Sequence, residues 1–565
     1  MTIEFQLEVR FVRDNRDYWR YTLAVLSVLA IGIAIRLSPL YWTPLPFNPD
    51  GFVFADIARD SLAAGSVPSP DDHRSMALPR YVFVLLLVTL SQITDIQPIW
   101  LAQPIIAVIG TIPALVAMGL VRKFGIEFGW PPRRVLVAGT LAGIVLATEG
   151  LYLRRTVAVS YEVLGLLFIP LVILCLHRFF ESSRWSWLSA AGVLLLALPA
   201  THHISTMIAA VTLTVLVSIW AIQRPTRLPL TTGAIVLFGF WIYLLSYYAR
   251  APPENSGVIT SNPSLIIAWI IVIASLAYWI RTAKPVLSRG AIASVNLFGF
   301  GVLALNTIQP VFPGLSTTPP LLLALVAPLL LLVLLTIWGI PVVVRSDQGP
   351  LILALLVAPL AFIGIGLTAG LSPQYDILVR RTQTFVHFGT IVVAVIAAFV
   401  LYDHMDDWPQ SFGTAIKVGL PIALILVAVT TIPIAFIGLE ALSYQSTTTE
   451  AEFSTATFAS TTIPEPWTGD DHITRIEGNY YGSEHNAGTE PVYNWLQGGN
   501  PPACTTVAEN SWTTVGAQFY PAPPEQLSDN QYADWQANNN LVYMSGSGDD
   551  QLVIVTPPGG STEGC

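Results

Sequence analysis

The sequence predicts an all-α polytopic membrane protein with about thirteen transmembrane helices and a small C-terminal β or α+β domain outside the membrane. Of its 565 residues, 53% are hydrophobic and only 11% are charged, whereas about 25% are charged in typical soluble proteins. Apolar runs of about 20 residues, the length that crosses the hydrocarbon core, recur through residues 21–440. This pattern excludes a soluble enzyme held by a peripheral anchor.

Thirteen apolar runs are the predicted spans, separated by short basic loops. They are residues 21–38, 100–121, 135–151, 162–177, 187–200, 204–222, 230–248, 264–280, 290–307, 320–344, 350–370, 384–402 and 415–439. A further run, Tyr81–Ile93, is too short to span and is predicted to be an interfacial or re-entrant helix. With the arginine-rich residues 1–20 in the cytoplasm, this count places most basic loops on the cytoplasmic side, as the positive-inside rule requires. The long loop 39–99 and the tail 441–565 then face outward.

The tail, residues 441–565, holds 15 of the 36 acidic residues but only one basic residue, Arg475. Two short runs, Leu541–Met544 and Gln551–Thr556, favour strands, and the acidity suits a protein exposed to high salt, such as the outer surface of a halophilic archaeon. An acidic tail and bases beside spans also argue against nucleic acid as a partner. Cys504 and Cys565 could form a disulfide if the tail faces an oxidising compartment.

Several arginines do not follow the positive-inside pattern. Arg154 and Arg155, Arg250, and Arg380 and Arg381 fall in short loops or span ends predicted to lie outside. One explanation is a specific anionic partner at that surface. The alternative is that these side chains reach the lipid headgroups.

The first outer loop contains a turn followed by a helical stripe. The turn is Asn48-Pro49-Asp50-Gly51, and the apolar stripe begins at Phe52. Asp50 should therefore lie at the outer membrane face, where it could cap the helix. A carboxylate there could also accept a proton from an attacking hydroxyl or hold a metal.

Two later segments add charges at the same predicted face. Glu162 lies at the mouth of a span, where a carboxylate without a partner is costly. Asp376, Arg380 and Arg381 precede the twelfth span, and His387, slightly deeper, could join them. Carboxylates and arginines from three loops would then meet, as recognition of a phosphate-linked lipid requires.

Five other polar residues in the predicted outer loops are weaker candidates for substrate contacts. They are Asp56, Asp72, His73, His202 and His203. The adjacent pair of histidines could bind a metal or contact the acceptor. As a pair at a helix end, they could equally be structural.

Three strings of residues resemble a known family in their order along the chain. They are Asn48-x-Asp50-Gly51-Phe52-x-Phe54-Ala55-x-x-Ala58-Arg59-Asp60, then Arg155-Thr156-Val157-Ala158-x-Ser160-Tyr161-Glu162, and finally Val379-Arg380. Together they resemble the catalytic subunit of oligosaccharyltransferases, a branch of the GT-C membrane glycosyltransferases. The resemblance covers about residues 20–440 and implies thirteen spans, an interfacial helix before the second span, and an outer C-terminal domain.

The resemblance also implies roles for individual residues. Asp50 would be the essential first-loop carboxylate, near the reacting hydroxyl or a metal, and Glu162 would match the first acid of the second-loop motif. Relatives that use pyrophosphate-linked donors have a second acid two residues later, where this chain has Leu164; this difference argues against a Mg or Mn site built on Asp50 and Glu162. Arg380 or Arg381 resembles the late-span arginine near the substrate, and binding of the donor phosphate is the implied role.

The tail departs from the oligosaccharyltransferase pattern. It has no Trp-Trp-Asp signature for sequon recognition, and Trp467-Thr468-Gly469-Asp470 and Asp534-Trp535 are poor substitutes. These departures resemble relatives that move one sugar from a monophosphate carrier such as dolichyl-phosphate-mannose. In haloarchaea, such enzymes add a terminal mannose to the N-linked glycan of surface-layer glycoproteins.

The implied function is an inverting, dolichyl-phosphate-dependent mannosyltransferase of the cell membrane, acting on a glycoprotein or glycan acceptor and requiring no cofactor. Asp50 would deprotonate the acceptor hydroxyl, and Arg380, Arg381 and Arg155 would stabilise the departing phosphate. One alternative is an oligosaccharyltransferase with a divergent tail. A requirement for a divalent metal would favour this alternative. A second is a flippase or other transporter of lipid-linked sugars, in which the same arginines would bind phosphate during passage.

Overall fold

The computed structural model describes residues 15–66, 80–223, 227–252, 261–313, 315–404, 410–439, 443–482 and 487–559. The membrane part is helical. Its helices are α1 (Asn15–Leu37), α2 (Asp50–Ala64), α3 (Tyr81–Thr94), α4 (Pro98–Glu127), α5 (Pro132–Thr148), α6 (Gly150–Val157), α7 (Glu162–Ser182), α8 (Trp185–Ala197), α9 (His203–Gln223), α10 (Arg227–Arg250), α11 (Pro263–Thr282), α12 (Pro285–Ile308), α13 (Pro320–Val326), α14 (Leu330–Val343), α15 (Gly349–Val357), α16 (Leu360–Thr368), α17 (Pro373–His404) and α18 (Gln410–Thr431). Asp72, His73 and Cys565 lie outside the described residues.

The helices confirm a polytopic membrane architecture. Among the described residues, eleven helical segments are long and apolar enough to cross a membrane, and the bent pair α5 and α6 would make a twelfth. The predicted span 187–200 is the shorter helix α8, which has 13 residues. The predicted interfacial run corresponds to the separate 14-residue helix α3.

The predicted span 135–151 needs a correction, because the chain bends by 62° between α5 and α6. Glu149 leaves the helical conformation at the bend, with φ −62° and ψ 124°, and its carboxylate accepts hydrogen bonds from the backbone N–H groups of Leu151 and Tyr152. This side chain therefore starts a new helix in a new direction. Glu149 is a charged residue inside the predicted span, but the sequence does not show that its side chain caps a new helix.

The tail confirms the predicted α+β architecture. It contains α19 (Glu450–Thr462), α20 (Asp471–Tyr480), α21 (Glu490–Leu496), β1 (Thr506–Glu509), α22 (Asp529–Ala537), β2 (Asn540–Ser545) and β3 (Leu552–Thr556). The strands form one antiparallel sheet in the order β1-β3-β2. Both predicted strands are present, whereas β1 was not predicted. Cys504 is disulfide-bonded, and Cys175 is a free buried thiol.

Helix α2 lies between the membrane helices and the tail, and its alternating aromatic residues attach it to both. Phe52 stacks on Phe453 of α19, with ring centroids 5.5 Å apart. Phe54 packs edge-on against Phe83 of α3 at 5.2 Å and against Tyr161 at 5.5 Å. The start of α2 is therefore fixed from two sides, and Asp50 is its first residue.

Candidate active site

Asn48 joins three distant segments in front of α2. Its backbone N–H donates to the carbonyl of Ser446 at 2.7 Å, its Nδ2 donates to the carbonyl of Val159 at 3.3 Å, and its Oδ1 accepts from the Tyr444 hydroxyl at 2.6 Å. The residue has φ +102°, a value that asparagine tolerates better than most residues. The first loop, the second loop and the tail therefore converge directly before Asp50.

Asp50 is partly exposed and occupies the first helical position of α2. The expectation that it caps the helix is wrong: Pro49 is the N-cap, and no side chain makes the capping hydrogen bond. The Asp50 carboxylate interacts electrostatically with Arg381, Tyr444 and Arg475. A carboxylate released from capping and facing a guanidinium group is available for chemistry.

Gly51 permits the close approach of the first and second loops. A Cβ atom at this position would lie 2.5 Å from Cβ of Pro46 and 3.0 Å from Cγ1 of Val159. The neighbouring backbone makes a further contact there, because the N–H of Val159 donates to the carbonyl of Phe47 at 2.8 Å. The glycine after Asp50 is therefore required by packing.

Two buried polar residues anchor α6, which carries the second-loop arginines. Arg36 is fully buried and donates to Oγ1 of Thr156 at 2.6 Å and to the carbonyl of Ala147 at 3.0 Å. Gln103 donates to the carbonyls of Arg36 and Val157 at 2.8 and 2.9 Å. Sequence reasoning missed both residues, although an arginine within an apolar span is a signal in itself.

His387 was expected to join the arginines. Instead, it faces the bend between α5 and α6. Its Nδ1 lies 3.1 Å from Oε2 of Glu149, a fully buried carboxylate. This pair ties α17, the helix of Arg381, to the start of α6, the helix of Arg155. The structure therefore gives His387 a positioning contact, and sequence reasoning missed its partner Glu149.

Three arginines stand out because their charges are not paired by close contacts. Within the described residues, Arg154, Arg155 and Arg381 make neither a hydrogen bond nor an ion pair within 4 Å. Arg380, in contrast, places Nε 2.7 Å from Oδ2 of Asp376. Arg154 has Arg155 and Arg380 as charged neighbours, so like charges meet around it. An anion is the kind of ligand that such a group of arginines suits.

Glu162 is the buried carboxylate closest to these arginines in electrostatic terms. It is only 2% exposed, begins α7, and interacts with both Arg155 and Arg381. Its Oε1 has no hydrogen-bond partner among the described residues. The positive end of the helix dipole at the start of α7 favours a carboxylate at this position.

The tail contributes residues that sequence reasoning missed. Tyr520 and Tyr444 interact with Arg154, and their rings lie 5.4 Å apart. Arg475 lies over the ring of Tyr444 at 5.6 Å and interacts with Asp50. Its signal in the sequence was available, because Arg475 is the only basic residue in an acidic tail.

The two adjacent histidines lie at the edge of the same cluster. Both are buried, and both interact with Arg381 and Arg80. The ring of His202 packs edge-on against Tyr161 at 4.8 Å, and the guanidinium group of Arg80 lies over the Tyr161 ring at 5.5 Å. Nε2 of His202 and Nδ1 of His203 have no hydrogen-bond partner in the described part of the chain.

The remaining candidates lie elsewhere. Asp56 is buried and forms an ion pair with Arg59, which in turn lies over the ring of Tyr480 at 4.6 Å. Asp56 therefore fastens α2 to the tail. Arg250 is exposed at the end of α10.

The described residues do not fit a divalent metal. They contain no group of three His, Cys, Asp or Glu side chains arranged to hold one. Asp50 and Glu162 each face Arg381, whose charge would repel a cation, and Leu164 stands where related enzymes have a second acid.

Several solved structures are similar to this chain. The oligosaccharyltransferase of Archaeoglobus fulgidus, crystallised in complex with Zn and sulfate, aligns with a TM-score of 0.51 at 14% identity, covering 86% of this chain and 68% of the other. The similarity shows that this chain shares the fold of that oligosaccharyltransferase. ArnT from Cupriavidus metallidurans, solved with undecaprenyl phosphate, aligns at a TM-score of 0.43 and 12% identity over 95% of this chain and 98% of its own. No family model and no curated protein matches the sequence.

Proposed function

We propose that this protein is a GT-C glycosyltransferase that moves one sugar, mannose, from dolichyl phosphate to a protein-linked N-glycan on the outer face of the cell membrane. The observation that carries the proposal is the group of three arginines without ion pairs beside two carboxylates, Asp50 and Glu162. Cations and carboxylates in one site suit a reaction that expels a phosphate and removes a proton.

The arginines suit a lipid monophosphate as the leaving group. Negative charge grows on the phosphate as the bond to the sugar breaks, and guanidinium groups already in place stabilise that charge. We assign the donor phosphate to Arg381 and Arg155, with Arg154 beside them. Arg380 is a weaker candidate, because Asp376 neutralises it.

Asp50 is the proposed general base. The acceptor hydroxyl attacks the anomeric carbon from the face opposite the phosphate, so the new C–O bond forms as the bond to the phosphate oxygen breaks. The phosphate leaves with the bonding electrons, the hydroxyl proton passes to Asp50, and the anomeric configuration inverts. Glu162 orients Arg155 and Arg381, and its unpaired Oε1 can accept a hydrogen bond from a sugar hydroxyl.

The membrane placement is part of the proposal. Residues 1–20 would be cytoplasmic, residues 21–440 would form the membrane domain, and residues 441–565 would face the outside with the catalytic loop 39–99. The positive-inside distribution supports this orientation. The acidic tail supports a halophilic cell surface, where the acceptor would be a surface-layer glycoprotein.

Transfer of a whole glycan to asparagine is the second candidate function. The fold of the Archaeoglobus fulgidus oligosaccharyltransferase favours it. The missing Trp-Trp-Asp signature in the tail and the poor fit to a metal favour single-sugar transfer. A lipid-linked-sugar flippase is third, because Arg154 and Arg155 lie in the last turn of α6 and Glu162 begins α7, rather than lying midway along a span.

Mass analysis of glycans on surface glycoproteins tests the proposal. A strain lacking the gene is complemented with the intact protein, with Asp50→Ala, or with Asp60→Asn, a matched change at a half-exposed carboxylate on the same helix. We expect loss of one terminal hexose, restored by the intact protein and by Asp60→Asn but not by Asp50→Ala. Loss of the entire N-glycan would support the oligosaccharyltransferase instead, and an unchanged glycan would contradict both enzymes.

A further inference from the structure

The ring of His202 has one nitrogen committed to capping a helix. The carbonyl of His202 accepts from the N–H of Thr206 at 2.9 Å, which places His202 at the start of α9. Its Nδ1 accepts from the backbone N–H of Ser205 at 3.2 Å and lies 2.6 Å from the Ser205 Oγ. This N–H is one of the donors that a helix start leaves without a partner, so Nδ1 acts as the capping acceptor.

The capping bond fixes where the ring carries its proton. A neutral imidazole has one N–H, and an Nδ1 that accepts a hydrogen bond leaves that proton on Nε2. Burial, then His203 and the arginines Arg381, Arg155 and Arg80, lower the pKa of His202 well below its ordinary value. The ring is therefore neutral at pH 7 and presents Nε2–H.

Close packing holds this ring in place against the helix that carries Glu162. A Cβ atom at Gly165 would lie 2.0 Å from Oγ and 2.3 Å from Cβ of Ser205. Only glycine at position 165 leaves room for the serine that contacts Nδ1. The ring also packs on Tyr161, directly before Glu162.

The Nε2–H group lacks an acceptor among the described residues, although it is buried. The charged groups that act on the His202 ring are the guanidinium groups of Arg381, Arg155 and Arg80, which only donate hydrogen bonds. A buried donor without an acceptor costs free energy, so an anion bound by the arginines is a fitting partner. We propose that His202 donates a hydrogen bond from Nε2–H to a phosphate oxygen of the polyprenyl monophosphate bound by Arg155 and Arg381. This inference rests on the proposed function of the arginine cluster.

The same contacts argue against His202 as a metal ligand, the other role expected for the histidine pair. A histidine that binds a metal through Nε2 almost always donates an N–H from Nδ1 to a second group. Here Nδ1 accepts from the Ser205 N–H instead. His202 therefore belongs to the phosphate site.

Two substitutions separate the proposed contact from the helix cap. His202→Asn supplies an oxygen that can accept from Ser205 N–H, so it keeps the cap but loses the distant donor. His202→Gln places an amide N–H near the position of Nε2. Dolichyl phosphate and, separately, inorganic phosphate are titrated into the full chain. We expect His202→Asn to weaken binding of both by about 10- to 100-fold, and His202→Gln to stay within about 3-fold of the unchanged protein.

Each outcome decides the question. Weakening by His202→Asn for both probes supports a contact to the shared phosphate group, whereas weakening for dolichyl phosphate alone overturns it in favour of a lipid or positional effect. If Arg381→Gln abolishes phosphate binding but His202→Asn binds as tightly as the unchanged protein, the proposed His202 contact is overturned. If Arg381→Gln also binds normally, the proposed function itself is wrong.

A measurement on the unsubstituted protein does not depend on how the variants fold. In ¹⁵N-histidine-labelled protein, NMR should show His202 with its proton on Nε2 and Nδ1 unprotonated at pH 7. Dolichyl phosphate should move the Nε2–H proton resonance downfield. A proton on Nδ1, or an Nε2–H resonance that does not respond to the ligand, would overturn the proposal.

Discussion

Helix α7 carries one glutamate near each end, Glu162 in its first turn and Glu181 in its last, roughly 28 Å apart at 1.5 Å per residue. The Glu181 carboxylate is paired on both oxygens: Oε2 lies 2.9 Å from Nζ of Lys123, and Oε1 accepts from Nε2 of Gln348 at 2.8 Å. At the other end, Oε1 of Glu162 has no partner in the described residues, and the arginines it faces make no ion pair within 4 Å.

The two ends of α7 differ in whether their charges have close partners within the chain. We use this difference to distinguish charges that stabilise the fold from charges that bind a ligand. Removing charges from water costs several kcal/mol per ion, and only good pairing returns that cost. The Lys123–Glu181 end is compensated by contacts within the chain. The Arg155–Arg381 end has the carboxylates of Glu162 and Asp50 as electrostatic neighbours but no ion pair within 4 Å among the described residues, which is why we propose a bound anion there.

Arg381→Gln is the substitution with the largest expected effect on activity, and it tests whether the two ends of α7 have different roles. If Arg381 stabilises the departing phosphate, sugar transfer should fall by about 10²- to 10³-fold. Thermal stability should change little, because Arg381 makes no hydrogen bond and no ion pair within 4 Å among the described residues. Transfer of radiolabelled sugar from dolichyl phosphate in membrane vesicles measures the rate.

Arg380→Gln is the matched control on the next residue. Because Asp376 already neutralises Arg380, we expect a loss of less than about 10-fold, in the range of one surface-type contact. Equal losses for both variants would show that the cluster acts through its total charge rather than through Arg381.

The opposite result is expected for Glu181→Gln. Lys123 and His177 would lose a charged acceptor, so the protein should lose about 1–3 kcal/mol of stability, with the sugar-transfer rate unchanged. Thermal unfolding in detergent reports the first and the vesicle assay reports the second. Arg178→Gln is the control, because Arg178 touches Glu181 only at 3.4 Å; a transfer defect in Glu181→Gln would contradict the separation of the two ends.

Much of this architecture could be predicted from the sequence, because apolar length alone identifies spans in a bilayer. The three loops that carry Asp50, Glu162 and Arg381 could be identified as well, since charges in or beside apolar runs are costly. The bend at Glu149 could not, because it depends on a buried cap and on His387, which is 238 positions away.

The tail residues of the candidate site illustrate the same limit. Tyr444 and Tyr520 are ordinary aromatic residues in the sequence, and only the folding of the tail onto α2 brings them beside Arg154. Which of Arg380 and Arg381 is available to bind phosphate also depends on the direction of each side chain. Arg380 lies one helical turn after Asp376 and forms an ion pair with it. Contacts between distant segments carry no local signal.

Tyr444→Phe tests how strongly the tail supports the site. The substitution removes the 2.6 Å hydrogen bond from the Tyr444 hydroxyl to Oδ1 of Asn48, directly before Asp50. A neutral hydrogen bond of about 0.5–1.5 kcal/mol corresponds to a loss of roughly 2- to 10-fold in transfer rate. Tyr543→Phe in the tail is the control, and an equal loss there would mean that Tyr444 acts only through tail stability.

A third polar cluster lies in the tail. It groups acidic side chains, whereas the site in the membrane part groups arginines. Burial, followed by the carboxylates of Glu452 and Asp470, raises the pKa of Glu509 well above its ordinary value. His472 lies close to these acids, with Nε2 3.6 Å from Oε1 of Glu452. A proton can relieve the excess of acidic groups in this cluster, whereas an anion is what we propose for the arginine site.

Glu509→Gln gives the smallest and most local test of this contrast. Because the folded pKa is raised, the folded tail holds a proton on Glu509 more tightly than the unfolded chain; the stability this contributes is present below about pH 4.5 and is lost as the pH rises through the folded pKa. Hydrogen exchange of β1 and β3, corrected for intrinsic rates, should therefore be faster at pH 8 than at pH 5. Glu509→Gln should shrink that difference, whereas Glu490→Gln, at an exposed position, should leave it intact. Apart from positions 509 and 490, both variants keep every acid of the tail. If Glu509→Gln shows the same difference in exchange rate between pH 5 and pH 8 as the unchanged protein, the buried acids are balanced by partners within the fold, as Glu181 is.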